Sequence, residues 1–175
     1  YKNKNNIKIR LMKKDKVLCA KYRPGHFEGV LGVINQFLTL IKPKFMFLGQ
    51  KDYQQLHLIK NFIKNKFFTK VIPCKTIRYK GSLAYSSRNF LLSKNDIKKA
   101  TYVSKLVKKF YYDVKKDFKK VRKLKELKRK LIKNNLKVEY LELRNKVNLS
   151  KKINRSNFKI FISFYINKVR LIDNF

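Results

Sequence analysis

The sequence predicts an α/β fold, in which a parallel sheet precedes a smaller α+β unit. Between residues 17 and 73, short apolar runs alternate with stretches whose apolar residues recur at helical spacing. Such alternation favours a parallel sheet with right-handed crossover connections. From residue 79 onward, the chain changes to a polar loop, a long basic helical stretch and further apolar runs. We therefore predict two domains, over residues 1–78 and 79–175.

The first domain opens with basic residues 1–15, which predict a loop and a short strand. Residues 17–20 then predict a short buried strand. The proline and glycines of "YRPGHFEG" mark a loop that leads into a helix. That helix is predicted over residues 27–41, where apolar residues keep helical spacing and Pro43 follows.

The rest of this domain predicts a strand, a helix and another strand. Residues 45–48 form a continuous apolar run, as expected of a strand that is covered on both faces. A helical pattern comes next, and a further strand begins at residue 71. The residues that carry this helical pattern are Leu56, Ile59, Ile63 and Phe67.

The second domain begins with the loop "YKGSLAYSSRNFLLS", and residues 95–137 are then helical in pattern and intensely basic. Lysines fill the faces beside one apolar stripe, which is typical of a solvated outer surface. Residues 140–143 and 160–164 predict strands, and the tail "VRLIDN" closes the chain. The stripe consists of Val107, Phe110, Val114, Phe118, Val121, Leu124 and Leu131.

The net charge of +36 has two explanations. A basic RNA- or ribosome-associated binding protein would carry such a charge. The composition favours AT-biased mutation instead, because Lys, Asn, Ile, Phe and Tyr have AT-rich codons and are abundant, whereas Ala, Gly and Pro are scarce. A phosphate-binding surface would also favour arginine, yet lysines outnumber arginines by 37 to 9. We expect no specific nucleic-acid partner.

Composition also limits the location and the chemistry. No apolar run reaches the ~18–20 residues of a membrane span, so we expect no membrane partner. Cys19 and Cys74 have neither disulfide nor metal spacing, which together with the lack of a signal-peptide pattern favours a reduced, cytoplasmic setting. Two histidines and ten scattered acids provide no catalytic triad, paired carboxylates or metal-ligand cluster. Any reaction would rest on positioning and charge stabilisation.

The stretch "GQKD" lies where a predicted parallel strand ends and a helix begins. Ligands of open α/β sheets bind at the carboxyl ends of strands, and a helix N-terminus attracts phosphate. Gly49 would let a ligand approach the backbone, Lys51 would supply a cation and Asp52 would cap the helix. At most one of Gln54 and Gln55 would face a ligand. An ordinary strand-to-helix turn with a capping aspartate explains the same residues.

Two other stretches carry polar groups that suit a ligand. In "YSSRN", the hydroxyls of Ser86 and Ser87 and the guanidinium of Arg88 could hold phosphate oxygens, although a surface turn has the same composition. In "RPGHF", His26 at a loop-to-helix junction would either contact a ligand or cap the helix. His57 lies among apolar neighbours on a helix, where a structural role is expected.

Taken together, these stretches resemble one family, pantothenate synthetase (pantoate–β-alanine ligase). Its members carry RPGHF followed by a Gly-Val helix, then FGEKDxQQL, then DGLALSSRN, and end in RLIDN. The corresponding stretches here are "RPGHFEGV" (23–30), "FLGQKDYQQLHLI" (47–59), "GSLAYSSRN" (81–89) and "RLIDN" (170–174). Their order and spacing match the family over nearly the whole chain.

The resemblance implies a Rossmann-like nucleotidyltransferase domain with a small C-terminal lid domain, in a homodimer. It implies that ATP and Mg²⁺ convert pantoate to a pantoyl-adenylate with release of pyrophosphate, and that β-alanine then displaces AMP. The family's N-terminal region, with its MGxLHxGH nucleotide-binding motif, has no counterpart before Tyr1. By resemblance the chain is the C-terminal two-thirds of the enzyme, and we expect this isolated segment to be inactive.

The resemblance also assigns roles by position. Lys51 would stabilise phosphate charge, and residues 85–88 would form a mobile loop that closes on the phosphates, similar to the KMSKS loop of class I tRNA synthetases. Gln55 would bind pantoate, with Arg23 and His26 as further candidates, and no residue would be a metal ligand. The implied catalytic residues are Lys51, Ser86, Ser87 and Arg88. The implied ATP-site residues are Gly49, Gln50, Lys51, Asp52, Ile77 (through its backbone), Tyr85, Ser86, Ser87 and Arg88.

The chain departs from the family pattern at three places. Gln50 replaces a glutamate, and Tyr85 replaces a leucine. Lys80, Gly81 and Ser82 stand where the family has a residue followed by Asp-Gly, so the hinge of the loop is altered. A decayed, inactive relative is a third interpretation of the chain, against which the intact phosphate-contacting residues argue.

Overall fold

The computed structural model describes residues 9–79 and 82–175 of the chain. Two compact units meet between Cys74 and Lys75. The predicted boundary after Arg78 is later than this, because Arg78 pairs with Ala84 and Asp173 of the second unit. The assignment of ATP and pantoate binding to the first domain, and of a lid to the second, stays a prediction.

Within residues 9–74, the first unit has a two-stranded parallel sheet and three α-helices. The strands pair in parallel, with Phe45 opposite Lys70 and Gly49 opposite Cys74. This confirms the predicted parallel strands joined by a helical crossover. The elements are α1 (Cys19–Tyr22), α2 (His26–Ile41), β1 (Phe45–Gly49), α3 (Tyr53–Ile63) and β2 (Lys70–Cys74).

The two longer helices of this unit form where the sequence places apolar residues at helical spacing. Gly25 adopts a left-handed conformation (φ 77°) at the start of α2, which is a backbone state that glycine adopts without strain. Leu31 and Leu38 of α2 and the isoleucines Ile59 and Ile63 of α3 then form a buried cluster. Helix α3 ends at Ile63, so that the predicted helical position Phe67 lies beyond it.

The predicted strand over residues 17–20 is wrong. The chain turns at Leu18, whose φ is 49°, and the short helix α1 follows it. Residues 18–20 are buried as expected and Val17 is half-buried, but the backbone groups of Val17 and Ala20 bind the side chain of Gln54 instead of a neighbouring strand. Residues 9–15 contain no strand, and have a 3-10 turn over Lys13–Asp15. The remainder of that predicted segment, residues 1–8, lies outside the described residues.

Strand β1 is confirmed. The prediction that both of its faces are covered is wrong, because residues of the first unit cover only one face. The side chains of Met46 and Leu48 pack against the core cluster. Those of Phe45 and Phe47 point the other way and remain 45% and 67% exposed. A continuous apolar run predicted burial on both sides, and this unit covers only one of them.

The second unit packs two helices against a three-stranded antiparallel sheet with the order β3-β4-β5. A capping box between Ser93 and Asp96 begins its first helix. The tail "VRLIDN" is the third strand of the sheet and not merely an end of the chain. The elements are α4 (Lys94–Lys116), α5 (Leu124–Lys133), β3 (Lys137–Asn145), β4 (Phe158–Ile166) and β5 (Val169–Asn174).

The core of the second unit contains the predicted apolar stripe. Val107, Val114 and Leu131 are fully buried, and the other four stripe residues pack against the same cluster. Ile160, Ile162 and other residues of β4 supply the opposite side. Most lysines of α4 and α5 are exposed, as expected for an outer surface. The mixed fold, with one parallel and one small antiparallel sheet, agrees with the predicted class.

Candidate functional site

The residues of the predicted "GQKD" site lie directly at the carboxyl end of β1. Gly49 is the last residue of the strand, and Gln50–Asp52 form a 3-10 turn that runs into α3. Gly49 has ordinary extended dihedral angles, and a Cβ added there would meet nothing within 4 Å. The backbone of Gly49 is therefore open to an approaching group, as it is at Gly25, Gly29 and Gly32.

Lys51 and Asp52 form a weak ion pair at the start of α3. Their charged atoms are 3.9 Å apart, and the side chains are 20% and 50% exposed. Such a pair in contact with water contributes little to stability, so exchange for another anion costs little. Asp52 occupies the N-cap position of α3 but makes no capping hydrogen bond, which corrects the predicted capping role.

The neighbouring glutamines Gln54 and Gln55 differ in their surroundings. Gln54 is buried; its amide nitrogen donates to the carbonyls of Asp15 and Val17, and its oxygen accepts from the Ala20 backbone. Gln55 is half-buried, and its side chain makes no hydrogen bond to another described residue. The amide of Gln54 is thus occupied by backbone groups of its own unit, and Gln55 stays the predicted ligand contact of the pair.

The "RPGHF" residues lie at the start of α2. His26 is the first helical residue and Gly25 the N-cap, so the alternative in which His26 caps the helix is wrong. The His26 ring lies 4.9 Å from the ring of Phe27. Arg23 is half-buried immediately before this turn.

His57 has the surroundings of a structural residue, as predicted. Its Nε2 lies 3.0 Å from the side-chain nitrogen of Asn61, one helical turn away. Burial lowers the pKa of His57, and nearby Lys14 and Lys60 lower it further, while Asp15 opposes them. The neutral imidazole is therefore favoured at this position.

In the second unit, the predicted loop is anchored at its base by backbone pairing. Tyr85 donates its backbone N–H to the carbonyl of Ile77 (3.0 Å), and Arg78 pairs with Ala84. The ring of Tyr85 stacks on that of Tyr79, with centroids 3.8 Å apart. This stacking gives a physical reason for an aromatic residue where the family has leucine.

The three residues Ser86, Ser87 and Arg88 form the start of a 3-10 helix. The Ser86 hydroxyl accepts a hydrogen bond from the Arg88 backbone N–H (3.3 Å) and caps this helix. The Ser87 side chain is exposed. The Arg88 guanidinium donates through one nitrogen to the carbonyl of Arg170 in β5 (2.9 Å). The three residues share one turn and present a hydroxyl and a cation close together.

Arg78 and Asp173 are residues that sequence reasoning missed. Their side chains form a two-point ion pair at 2.7 and 2.9 Å, across 95 positions of sequence. No local spacing rule connects residues that far apart. The one available signal was an aspartate within the apolar tail "RLIDN", since a buried carboxylate in a strand requires a partner.

The altered hinge places a serine in an unfavourable conformation. Ser82 has φ 136°, in the region that glycine tolerates and residues with a Cβ do not. It is buried, and its carbonyl accepts a hydrogen bond from Arg78 (2.7 Å). Lys80 and Gly81 of the same hinge lie outside the described residues.

Metal-ligand clusters and membrane-spanning helices are both absent from the part of the chain that the structure describes. Among residues 9–79 and 82–175, no group of three or more His, Cys, Asp or Glu side chains has the arrangement of a metal site. No helix in this part of the chain combines the length and hydropathy needed to cross a membrane. Of the two cysteines, Cys19 is buried and Cys74 is exposed.

Comparison with protein families gives a match over the whole chain. The model of the family described as pantoate-beta-alanine ligase matches residues 1–175. A pantothenate synthetase of Francisella tularensis subsp. mediasiatica is 39% identical over 160 residues, which cover 91% of this chain and 53% of that protein. The chain therefore spans about half the length of the curated relatives it matches.

Solved structures give the same result. The pantoate-beta-alanine ligase of Francisella tularensis, in complex with β-γ ATP and β-alanine, superposes with a TM-score of 0.76 at 36% identity. It is matched over 95% of this chain and 56% of that one. The pantothenate synthetase of Thermus thermophilus gives a TM-score of 0.82 at 25% identity, over 95% of this chain and 62% of that one.

Proposed function

The chain belongs to the pantoate-beta-alanine ligase family, and we propose that the full-length protein joins pantoate to β-alanine in an ATP-dependent reaction. The observation that supports this most is the turn Gln50–Asp52 at the carboxyl end of a parallel strand. Phosphate ligands favour such a position, because helix N-termini present free N–H groups. The match of the family model to residues 1–175 supports pantoate and β-alanine as the substrates.

The proposed reaction has two steps. A pantoate carboxylate oxygen attacks the α-phosphorus of ATP, which forms pantoyl-adenylate and releases pyrophosphate. The neutral amine of β-alanine then attacks the pantoyl carbonyl, forms the amide bond of pantothenate and displaces AMP. Both steps gain from groups that hold the reactants in line and that stabilise developing phosphate charge.

In the first unit, we assign the phosphate contact to Lys51. Its ammonium is partly exposed and lies 3.9 Å from the carboxylate of Asp52 at the start of α3, where it would meet an incoming phosphate. Gly49, Gln50 and Asp52 line the same edge of the sheet. Gln55 is assigned to pantoate, because its amide can both donate to and accept from a hydroxy acid. Arg23 and His26 are further candidates for substrate contact.

In the second unit, we assign phosphate binding to residues 85–88. The hydroxyls of Ser86 and Ser87 can donate to phosphate oxygens, and the Arg88 guanidinium retains donors besides the one on the Arg170 carbonyl. The backbone of Ile77 is assigned to adenine. Because the hydrogen bonds that hold Ser86 and Arg88 are few, the segment can rearrange around a nucleotide.

Mg²⁺ is assigned to the nucleotide and not to a protein cluster. Mg²⁺ commonly binds through substrate phosphates, several waters and few carboxylates. That mode suits the described residues, which hold no cluster of three acidic or histidine side chains. When bound, the ion would neutralise part of the phosphate charge.

The setting and assembly of the protein are proposed from the family as well. We assign a cytoplasmic location, which the sequence spacing of Cys19 and Cys74 supports, because it matches no disulfide or metal pattern. A homodimer of the full-length protein is the assembly that the family resemblance implies. Its test is the molecular mass in solution by light scattering.

The first step has a diagnostic assay that does not involve β-alanine. Full-length protein should exchange radiolabelled pyrophosphate into ATP only when pantoate is present. Lys51→Met should slow this exchange by about 10²-fold, the effect of losing one charge-stabilising donor. Lys60→Met, which removes an exposed lysine from the same helix, should leave the rate unchanged. Exchange that ignores pantoate, or equal rates in the two variants, would refute the proposal.

A further inference from the structure

Asp173 receives an unusual number of hydrogen bonds for a residue in an apolar tail. Both of its oxygens accept from Arg78, and one also accepts from the Asn174 backbone N–H (2.8 Å). The Ser104 hydroxyl of α4 lies 3.5 Å from the other oxygen. The carboxylate side chain is 2% exposed, so these partners replace water almost completely.

Arg78 extends this cluster to the base of the loop. One of its nitrogens donates to the carbonyl of Ser82 (2.7 Å), and the other donates to the carbonyl of Asn174 (3.0 Å). Its guanidinium also lies 4.3 Å from the ring centroid of Phe175. One arginine therefore joins the hinge of the loop to the end of β5.

A second tether runs from the loop to the same strand. Arg88 donates to the carbonyl of Arg170, whose own side chain forms an ion pair with Glu139 of β3 (2.5 Å). Both ends of the segment 78–88 are therefore fastened to β5. The segment between them carries the residues assigned to phosphate.

We propose that Asp173 is a positioning residue for the phosphate-binding loop, and that it acts through Arg78. The inference rests on the proposed function, since it assigns to the "RLIDN" tail a task in nucleotide binding. Asp173 touches no substrate in this account. Asp173 orients the guanidinium of Arg78 through the ion pair, and Arg78 holds the carbonyl of Ser82 by a hydrogen bond. The position of Ser82 then determines the position of the loop residues 86–88.

The pair fulfils this task because neither partner tolerates loss of the other. A buried carboxylate without its cation, or the reverse, leaves an uncompensated charge. The two-point contact also sets an angle, which a single ammonium cannot do. Loss of the charge on Asp173 should therefore free the loop base while the sheet hydrogen bonds of β4 and β5 remain.

The test compares Asp173→Asn with Glu142→Gln in the full-length protein. Glu142 forms the same kind of ion pair with Arg144 in the same sheet, without contact to the loop. We expect Asp173→Asn to raise KM for ATP at least fivefold and leave KM for β-alanine unchanged. Glu142→Gln should leave both constants within twofold. Mere loss of folded enzyme would lower apparent kcat without moving KM, and that result would overturn the inference.

Two further measurements complete the test. Hydrogen exchange should become at least tenfold faster in Asp173→Asn at the amides of Tyr79 and Tyr85, whose acceptors are the Leu83 and Ile77 carbonyls. Asp173→Glu should restore part of the ATP affinity. Unchanged exchange at these amides would overturn the positioning role even if wild-type protein proved inactive. Absence of pantoate-dependent exchange in wild-type protein would instead refute the proposed function.

Discussion

Gln54 and Gln55 are adjacent identical residues with different surroundings, Gln54 buried and Gln55 half-buried. The side-chain amide of Gln54 makes three hydrogen bonds to backbone groups of residues 15–20. In doing so it replaces the strand partner that those residues lack. Gln55 lies on another face of α3 and makes no hydrogen bond to another described residue. The sequence motif alone could not have separated the two, since both are glutamines in a helix.

This difference predicts opposite effects of alanine at the two positions. Gln54→Ala should lower the free energy of unfolding by about 1–3 kcal/mol, because it leaves buried backbone groups unpaired. Gln55→Ala should preserve stability and raise KM for pantoate about tenfold, the equivalent of ~1.4 kcal/mol. Thermal unfolding and steady-state kinetics measure the two effects. A stability loss in Gln55→Ala with unchanged KM would contradict the assignment.

Lys159 of β4 is a lysine in an unfavourable setting. Burial is the main cause that lowers its pKa to about 8; Arg78 and Lys146 also lower it, and Asp173 partly offsets them. In the unfolded chain the group titrates near 10.5. Between those pH values the unfolded state holds more protons, so this group makes the folded state more stable as pH rises from about 8 to about 10.5.

Replacement by an apolar side chain should remove that effect. Lys159→Met should unfold at a higher temperature at pH 7, by about 2–4 °C for each kcal/mol gained. Its advantage over wild type should shrink as pH rises from 8 to 10.5. The exposed Lys152→Met serves as the control. An advantage that does not change with pH would show that packing, and not charge burial, is responsible.

At the scale of elements, periodicity predicted the long helices well. Helices α2, α3 and α4 each bury residues that the sequence spaces at helical intervals, such as Leu31, Ile59 and Val107. Parallel pairing of β1 with β2 also followed from the alternation of elements. These features depend on local patterns, which a single sequence displays directly.

The elements that were mispredicted depend on distant partners. Residues 17–20 are apolar enough for a strand, but Gln54 and the turn at Leu18 decide their conformation. The tail forms strand β5 because β4 offers it an edge. Contiguous motifs predicted Lys51 and Arg88 as candidate residues, whereas the Arg78–Asp173 pair joins residues too far apart for any local pattern.

The hinge of the loop yields a prediction at this scale. Ser82 adopts φ 136°, a conformation that costs a residue with a Cβ roughly 1–3 kcal/mol. Ser82→Gly should remove that strain and raise the free energy of unfolding by about 1 kcal/mol, after the entropy that glycine gains in the unfolded chain. Ser82→Ala keeps the Cβ and should give no gain. Equal stability of the two variants in chemical denaturation would contradict the strained hinge.

At the scale of the whole molecule, the charge of +36 is the feature most easily misread. Arginines make specific contacts in the second unit, as in the pairs of Arg78, Arg144 and Arg170 with carboxylates. Most lysines of α4 and α5 instead cover exposed surface. This distribution favours compositional bias as the source of the many lysines. The arginines, in contrast, form ion pairs of defined geometry.

We therefore expect the protein to bind polyanions with little sequence preference, and we expect the affinity to fall steeply as the salt concentration rises. Binding to a mixed-sequence RNA should fall at least ~10²-fold between 50 and 200 mM salt. Gln substitution of Lys128, Arg129 and Lys130 should weaken binding without altering pyrophosphate exchange. Fluorescence anisotropy measures both effects. Binding that persists at 200 mM salt and prefers one sequence would favour the RNA-binding interpretation instead.

Pantothenate formation tests the central claim most directly. Full-length protein supplied with ATP, Mg²⁺, pantoate and β-alanine should form pantothenate and AMP in equal amounts, and omission of any one substrate should stop both. ADP in place of AMP would contradict the adenylate mechanism. No pantothenate from well-folded full-length protein would contradict the assigned ligase activity itself.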